Sequence, residues 1–181
     1  MSHNTLRAML LTALFAALTA VGAFIRIPVE PTSITLQFFF SALAGILLGV
    51  RWGVFSQMLY VGLGLLGLPV FTMGGGISYL FQPSFGFLLG LIPSTAAVAL
   101  LTRRGAGRIR LFLGCLAGDL VLYLFGVPYM YLILHLYTGS DTSMAALLTG
   151  MLVYVPGDLV KLAVLTGLSP VLRRRLAGYL P

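Results

Sequence analysis

Leu10-Leu11-Thr12-Ala13-Leu14-Phe15-Ala16-Ala17-Leu18-Thr19-Ala20-Val21-Gly22-Ala23-Phe24 runs on without a charged residue, and Phe38 to Val50 does the same. A strand of a membrane barrel alternates apolar and polar positions over about ten residues. These runs are longer and do not alternate, so they read as helices. The rest of the chain agrees, with 59% of residues hydrophobic and 8% charged and a mean hydropathy of +1.04. A soluble domain carries roughly a quarter of its residues charged to cover its surface. Lipid is therefore the solvent for most of this surface, and without water each segment must satisfy its own backbone, as a helix does.

Working outward from the first run, six apolar spans can be drawn: Thr5 to Ile25, Ile34 to Val50, Gly53 to Val70, Phe85 to Leu101, Ile109 to Leu136 and Met144 to Leu168. Each reaches about the 17 residues needed for a crossing. They describe an all-α integral membrane protein with a single membrane domain over residues 1–181. The fifth span is long, and a kink or break is expected at Gly126-Val127-Pro128. The gap from Arg26 to Ser33, with Pro28 and Pro31, reads as a stiff non-helical loop. The gap from Thr72 to Ser84, with Gly74-Gly75-Gly76 and Pro83, reads as a flexible loop able to fold over a cavity. Arg7 and the run to Ala20 imitate a secretory signal, but the further spans make a retained first helix the better reading.

The net charge of +7 lies in short gaps between spans, which suits membrane orientation and not a phosphate groove. Arg7, Arg51, Arg103, Arg104, Arg108, Arg110, Arg173, Arg174 and Arg175 fall on one side of the alternating pattern, and Arg26 with Glu30 and Asp141 on the other. The positive-inside rule then puts both termini in the cytoplasm of a multi-pass protein of the inner (cytoplasmic) membrane, with the proline and glycine loops facing out. The arginine clusters are expected to touch anionic lipid. Lone Cys115 reads as packing. His135 has no partner at ligand spacing, so no metal site is expected.

Small residues four apart, Gly45 and Gly49, Gly86 and Gly90, and Gly114 and Gly118, read as internal helix packing. Ala13, Ala16, Ala17 and Ala20 form a broader flat stripe on the first helix, suited to a partner subunit. Gly118-Asp119-Leu120-Val121 echoes Gly157-Asp158-Leu159-Val160, too briefly to establish a duplication.

Apart from His135, the ionisable residues well inside the spans are Asp119, Asp158 and Lys161. A charge at mid-membrane costs about 2.5 to 3.5 kcal/mol on insertion scales, so such residues face a cavity or a partner. Asp158 and Lys161, three apart, share a helical face. Pro156-Gly157 just before them should break or bend the helix, giving a half-helix amino terminus at which Asp158 either caps the backbone or accepts from a ligand. Asp119 either pairs with Lys161 or lines the cavity. The two aspartates also admit an intramembrane di-aspartyl enzyme, but a nearby ammonium holds Asp158 ionised and opposes proton sharing. No P-loop, HExxH or GxSxG pattern is present.

Pro156-Gly157-Asp158-Leu159-Val160-Lys161, Pro31-Thr32-Ser33-Ile34-Thr35-Leu36-Gln37, Gly64-Leu65-Leu66-Gly67-Leu68-Pro69-Val70-Phe71, Pro83-Ser84-Phe85-Gly86-Phe87-Leu88-Leu89-Gly90 and Phe125-Gly126-Val127-Pro128 together resemble the BioY family. These are the biotin-binding S components of energy-coupling factor (ECF) transporters. The resemblance implies a six-helix S-component bundle with biotin as transported ligand and no cofactor. It also implies an ECF T component and two ATP-binding subunits as partners. By the same resemblance, Asp158 and Lys161 contact biotin, Thr35 and Gln37 with the loop of Gly75 and Gly76 close over it, and the alanine stripe meets the T component. Where family members carry an asparagine near the glycine loop and an arginine in the fourth helix, this chain has Gln82 and no arginine from Phe85 to Leu101, so the group that meets the biotin carboxylate stays open. Tyr79, Phe85 and Tyr129 are candidates to pack the ligand's apolar parts. An S component for another vitamin, riboflavin or thiamine, is the alternative within this class.

Overall fold

A computed structural model describes residues 3–29, 32–103 and 106–180; Glu30 and Pro31 of the first loop and Arg104 of the basic cluster lie outside the described residues. In chain order the elements are α1 (His3–Phe24), β1 (Arg26–Val29), β2 (Thr32–Thr35), α2 (Gln37–Leu65), a short 3-10 helix (Ile77–Phe81), α3 (Phe85–Leu101), α4 (Arg108–Leu136), α5 (Met144–Met151) and α6 (Val155–Arg175). α1, α2, α4 and α6 are long and apolar enough to cross a membrane, and α3 is a shorter apolar helix. α1 packs on α2, α2 on α3 and α3 on α4, while α6 closes against α4 and α2.

α2 is two antiparallel helices joined at Gly49, whose φ of 76° and ψ of -173° lie outside the helical region. Gln37 Nε2 donates to Tyr60 Oη at 2.8 Å, although 23 helical residues would stand about 35 Å apart in a straight helix. Gly53 fits the reversal because a Cβ there would lie 3.1 Å from the Ala44 carbonyl oxygen. Gly49 is therefore a hinge and not the packing residue its spacing from Gly45 suggested. Counting both halves of α2 and joining α5 to α6, the chain forms the six-helix bundle expected.

Interlocking small residues hold the centre of the bundle. A Cβ on Gly86 would stand 2.3 Å from Tyr129 Cβ, one on Gly118 2.2 Å from Val98 Cγ2, and one on Gly126 2.3 Å from the Phe87 ring. α3 and α4 thus approach at distances only glycine permits, gaining dispersion contacts in a solvent that offers no hydrophobic drive. The same grip carries α4 through Pro128 in one helix, so of the kink or break expected there a break does not occur. Pro128 faces outward, and the hydrogen bond it forgoes is lost away from the packed face.

Two further differences concern loops, and one expectation at the last span is met. The segment expected to be a stiff loop, with its helix starting at Ile34, is an antiparallel β-hairpin pairing Arg26 with Thr35 and Val29 with Thr32, and α2 starts later, at Gln37. The loop after α2 is pinned: Phe71 is fully buried and its ring fills the space a Cβ on Gly64 would take. The last apolar span divides where Pro156 implied, Pro being tolerated in the first turn of α6.

Arg7 donates to the Gly178 carbonyl at 3.3 Å, which puts both ends of the described chain at one end of the bundle. Arg51 stands beside Arg7 and Gly178 there. The hairpin and the glycine loop form the opposite end, joined by Arg26, which donates to the Thr72 carbonyl at 2.7 Å.

Candidate functional site

α6 begins at Val155 after a turn in which Tyr154 N–H donates to the Met151 carbonyl, and Asp158 lies in its first turn. That position favours an anion, because the free N–H groups of a helix start carry partial positive charge. The carboxylate does not cap the helix. Its Oδ1 lies 2.6 Å from Lys161 Nζ, and its Oδ2 accepts from Tyr123 Oη at 2.6 Å. The side chains of Lys161 and Asp158 are 11% and 9% exposed, so the pair is nearly withdrawn from its surroundings.

The pair forms one wall of a cavity of about 670 Å³, counting its open mouth. α6 supplies Asp158 and Lys161, α4 supplies Asp119, Leu122 and Tyr123, and α3 supplies Phe87, Leu88 and Leu91. The hairpin closes it with Thr32 to Thr35, α2 adds Gln37 and Phe38, and the glycine loop adds Thr72 and Tyr79.

Hydrogen bonds hold these walls. Tyr154 Oη donates to the carbonyls of Val29 and Thr32 at 3.2 and 3.1 Å, tying the hairpin to the start of α6. Lys161 Nζ donates to the Thr35 carbonyl at 3.4 Å. Thr35 Oγ1 donates to Gln37 Oε1 at 2.9 Å, and Tyr60 Oη passes the chain on to the Val70 carbonyl at 3.0 Å. Thr72 and Tyr79 hydroxyls are paired at 2.7 Å.

The pair keeps unused donors and acceptors for a guest. An ammonium has three N–H groups; one of Lys161's meets Asp158 and one meets Thr35, leaving one to donate. Each Asp158 oxygen has one such partner and a second lone pair. The site therefore offers a donor and acceptors side by side, in a setting where unmet polar groups of a ligand would cost about 1 to 3 kcal/mol each. Phe38, Phe87, Leu88, Leu91, Leu122 and Met151 supply apolar contact opposite.

Among the residues singled out from sequence, Asp158, Lys161, Thr35 and Gln37 meet at this cavity. Gly75 and Gly76 do not line it. A Cβ on Gly75 would stand 2.1 Å from the Leu68 carbonyl oxygen, and Gly76, with φ of 100°, donates its N–H to Gly64 at 2.7 Å. They fold the loop so that Thr72 and Tyr79 face inward. Gln82 is exposed, and Tyr129 Oη donates to the Leu80 carbonyl at 2.5 Å, so neither lines the cavity. Phe85 is buried in the core. Tyr123 and Tyr154 went unrecognised because nothing in a helix sequence rich in aromatics distinguishes one tyrosine from the next. On α1, Ala13 and Ala17 are exposed, Ala20 is half-buried and Ala16 packs into the chain's own core. Arg173, expected to touch lipid, donates to the carbonyls of Ile46 at 2.8 Å and of Thr102.

The chain matches a family model described as BioY family over residues 1–178. It is 42% identical over 137 residues to a protein from Lysinibacillus sphaericus described as a probable biotin transporter BioY, covering 75% of this chain and 70% of that one. A probable biotin transporter BioY from Pyrococcus horikoshii is 37% identical over 169 residues, covering 93% and 94%. In structure the chain is similar to a crystal structure of the S-component for biotin from an ECF-type ABC transporter. That match has a TM-score of 0.73 and 25% identity, and covers 96% of this chain and 95% of the other.

Proposed function

Because this chain belongs to the BioY family, we propose that its cavity binds biotin and that it serves as the substrate-binding component of a biotin uptake transporter. The observation that carries the reading is the Asp158–Lys161 pair, withdrawn from its surroundings yet set in the wall of a cavity. A pair kept only for stability would be replaced at little cost by packed apolar residues. Biotin's ureido ring presents two N–H donors and one carbonyl acceptor. Asp158 accepts from an N–H, and the remaining N–H of Lys161 donates to the carbonyl oxygen, each as a charge-assisted hydrogen bond. The ring sulfur and valerate chain lie against Phe87, Leu88, Leu91 and Met151.

The cavity end of the bundle faces outward and the arginine-rich end faces the cytoplasm of the inner membrane. The clustering of Arg7, Arg51 and Arg173 with both ends of the chain supports this orientation. Delivery inward uses an ECF T component and two ATP-binding subunits, and the outward-facing Ala13 and Ala17 of α1 offer a flat seat for the T component. A di-aspartyl protease reading is disfavoured by the 2.6 Å contact that holds Asp158 to Lys161.

Equilibrium binding of labelled biotin to the purified protein, without ATP, tests the proposal. Saturable binding displaced by unlabelled biotin and not by riboflavin or thiamine is expected. Saturable binding of one of those vitamins with none for biotin would overturn the substrate.

A further inference from the structure

Asp119 is 6% exposed and lies in the cavity wall beside Tyr123. Its Oδ1 is fully enclosed and takes no hydrogen bond from any described residue. Lys161, the cation of the cavity, is already committed to Asp158 at 2.6 Å. On its other side Asp119 meets a mostly apolar depression between α4 and α5–α6, lined among others by Leu116, Leu120, Leu148 and Leu152, where the hydroxyl of Tyr123 is already given to Asp158. Gly118 locks α4 against Val98 of α3, so the next residue is turned off that interface toward α6 and cannot easily swing away. An enclosed acceptor without a donor is costly by itself. A guest carrying an N–H removes that cost.

We infer that Asp119 is a third ligand-binding group, accepting a hydrogen bond from one donor N–H of the guest while Asp158 accepts from the other. The assignment rests on the biotin reading above, since a cyclic urea has two N–H groups diverging from one carbonyl. It divides the polar recognition between α4 and α6, with Lys161 at the carbonyl. It also makes the site selective for ligands with two such donors, because a guest with only one leaves a buried carboxylate unmet.

The test compares wild type, Asp119→Asn and Asp119→Leu in detergent, measuring equilibrium binding of biotin and thermal unfolding of the ligand-free protein. Biotin affinity should fall about tenfold or more in Asp119→Leu and less in Asp119→Asn, which keeps a neutral acceptor oxygen. Ligand-free Asp119→Leu should melt at the wild-type temperature or above it, because an unmet buried acceptor has been removed. Affinity within about twofold of wild type in Asp119→Leu would overturn the assignment, and so would a loss of affinity accompanied by a lower melting temperature of the ligand-free protein, which marks a packing role. Wild-type protein that holds no biotin would overturn the biotin reading and this assignment with it; wild-type binding with an indifferent Asp119→Leu overturns the assignment alone.

Discussion

The Asp158–Lys161 contact of 2.6 Å is stabilising only while both members are present. Removing one leaves the other buried and unpaired, at a cost of about 3 to 5 kcal/mol, whereas removing both is often neutral. Asp158→Asn and Lys161→Met should each lower the melting temperature, and the double variant should recover most of that loss without recovering biotin binding. Thermal unfolding alongside calorimetric titration separates the two; a double variant that binds as wild type would return the pair to a purely structural role. Tyr123 is the second partner of Asp158, donating at 2.6 Å. Tyr123→Phe keeps the ring and removes that donor, so biotin affinity should fall about three- to tenfold, the size of one net hydrogen bond of roughly 1 kcal/mol, measured by equilibrium dialysis. An unchanged affinity would mean that Lys161 alone orients the carboxylate.

At the scale of the elements, Arg173 does what its place in a basic cluster does not announce. Its guanidinium reaches from α6 to the carbonyl of Ile46, near the end of the first half of α2, and to those of Thr102 and Arg103 after α3. These are helix carboxyl ends, where orphan carbonyls and the helix dipole both favour a cation. The planar fork spans several acceptors, which a lysine cannot reproduce. Arg173→Ala and Arg173→Lys should therefore both lower the melting temperature by several degrees, as expected for about 1 to 2 kcal/mol in a protein of this size, while biotin affinity in the folded fraction stays as in wild type. Full rescue by lysine in a thermal melt would reduce Arg173 to a charge at the membrane surface. Pro156 is informative because its effect is local: in the first turn of α6 it forgoes an N–H that would have no helical partner there. Pro128 stands inside α4 without breaking it, where the packing of Gly118 and Gly126 on α3 outweighs one lost backbone hydrogen bond.

For the molecule as a whole, binding and delivery are expected to use different faces. Ala13 and Ala17 point out of the bundle, while Ala16 packs within it. Replacing Ala13 and Ala17 by leucine should leave biotin affinity intact and abolish uptake by cells that also express the T component and ATP-binding subunits. Loss of binding in the detergent-purified variant would instead show that the face packs internally. Membrane class and the six helices could be read from the sequence because hydropathy and span length are properties of consecutive residues. So could the pairing of Asp158 with Lys161, which three residues of helix place on one face. Tertiary structure alone decided that Gly49 reverses α2, that Thr32 to Thr35 of the hairpin wall the cavity, that Tyr123, Tyr154 and Asp119 line it with Asp158, and that Gly75, Gly76, Gln82 and Tyr129 do not. One residue along a helix turns a side chain by about 100°, so what it meets depends on how closely that helix packs against its neighbours, a distance no local pattern records.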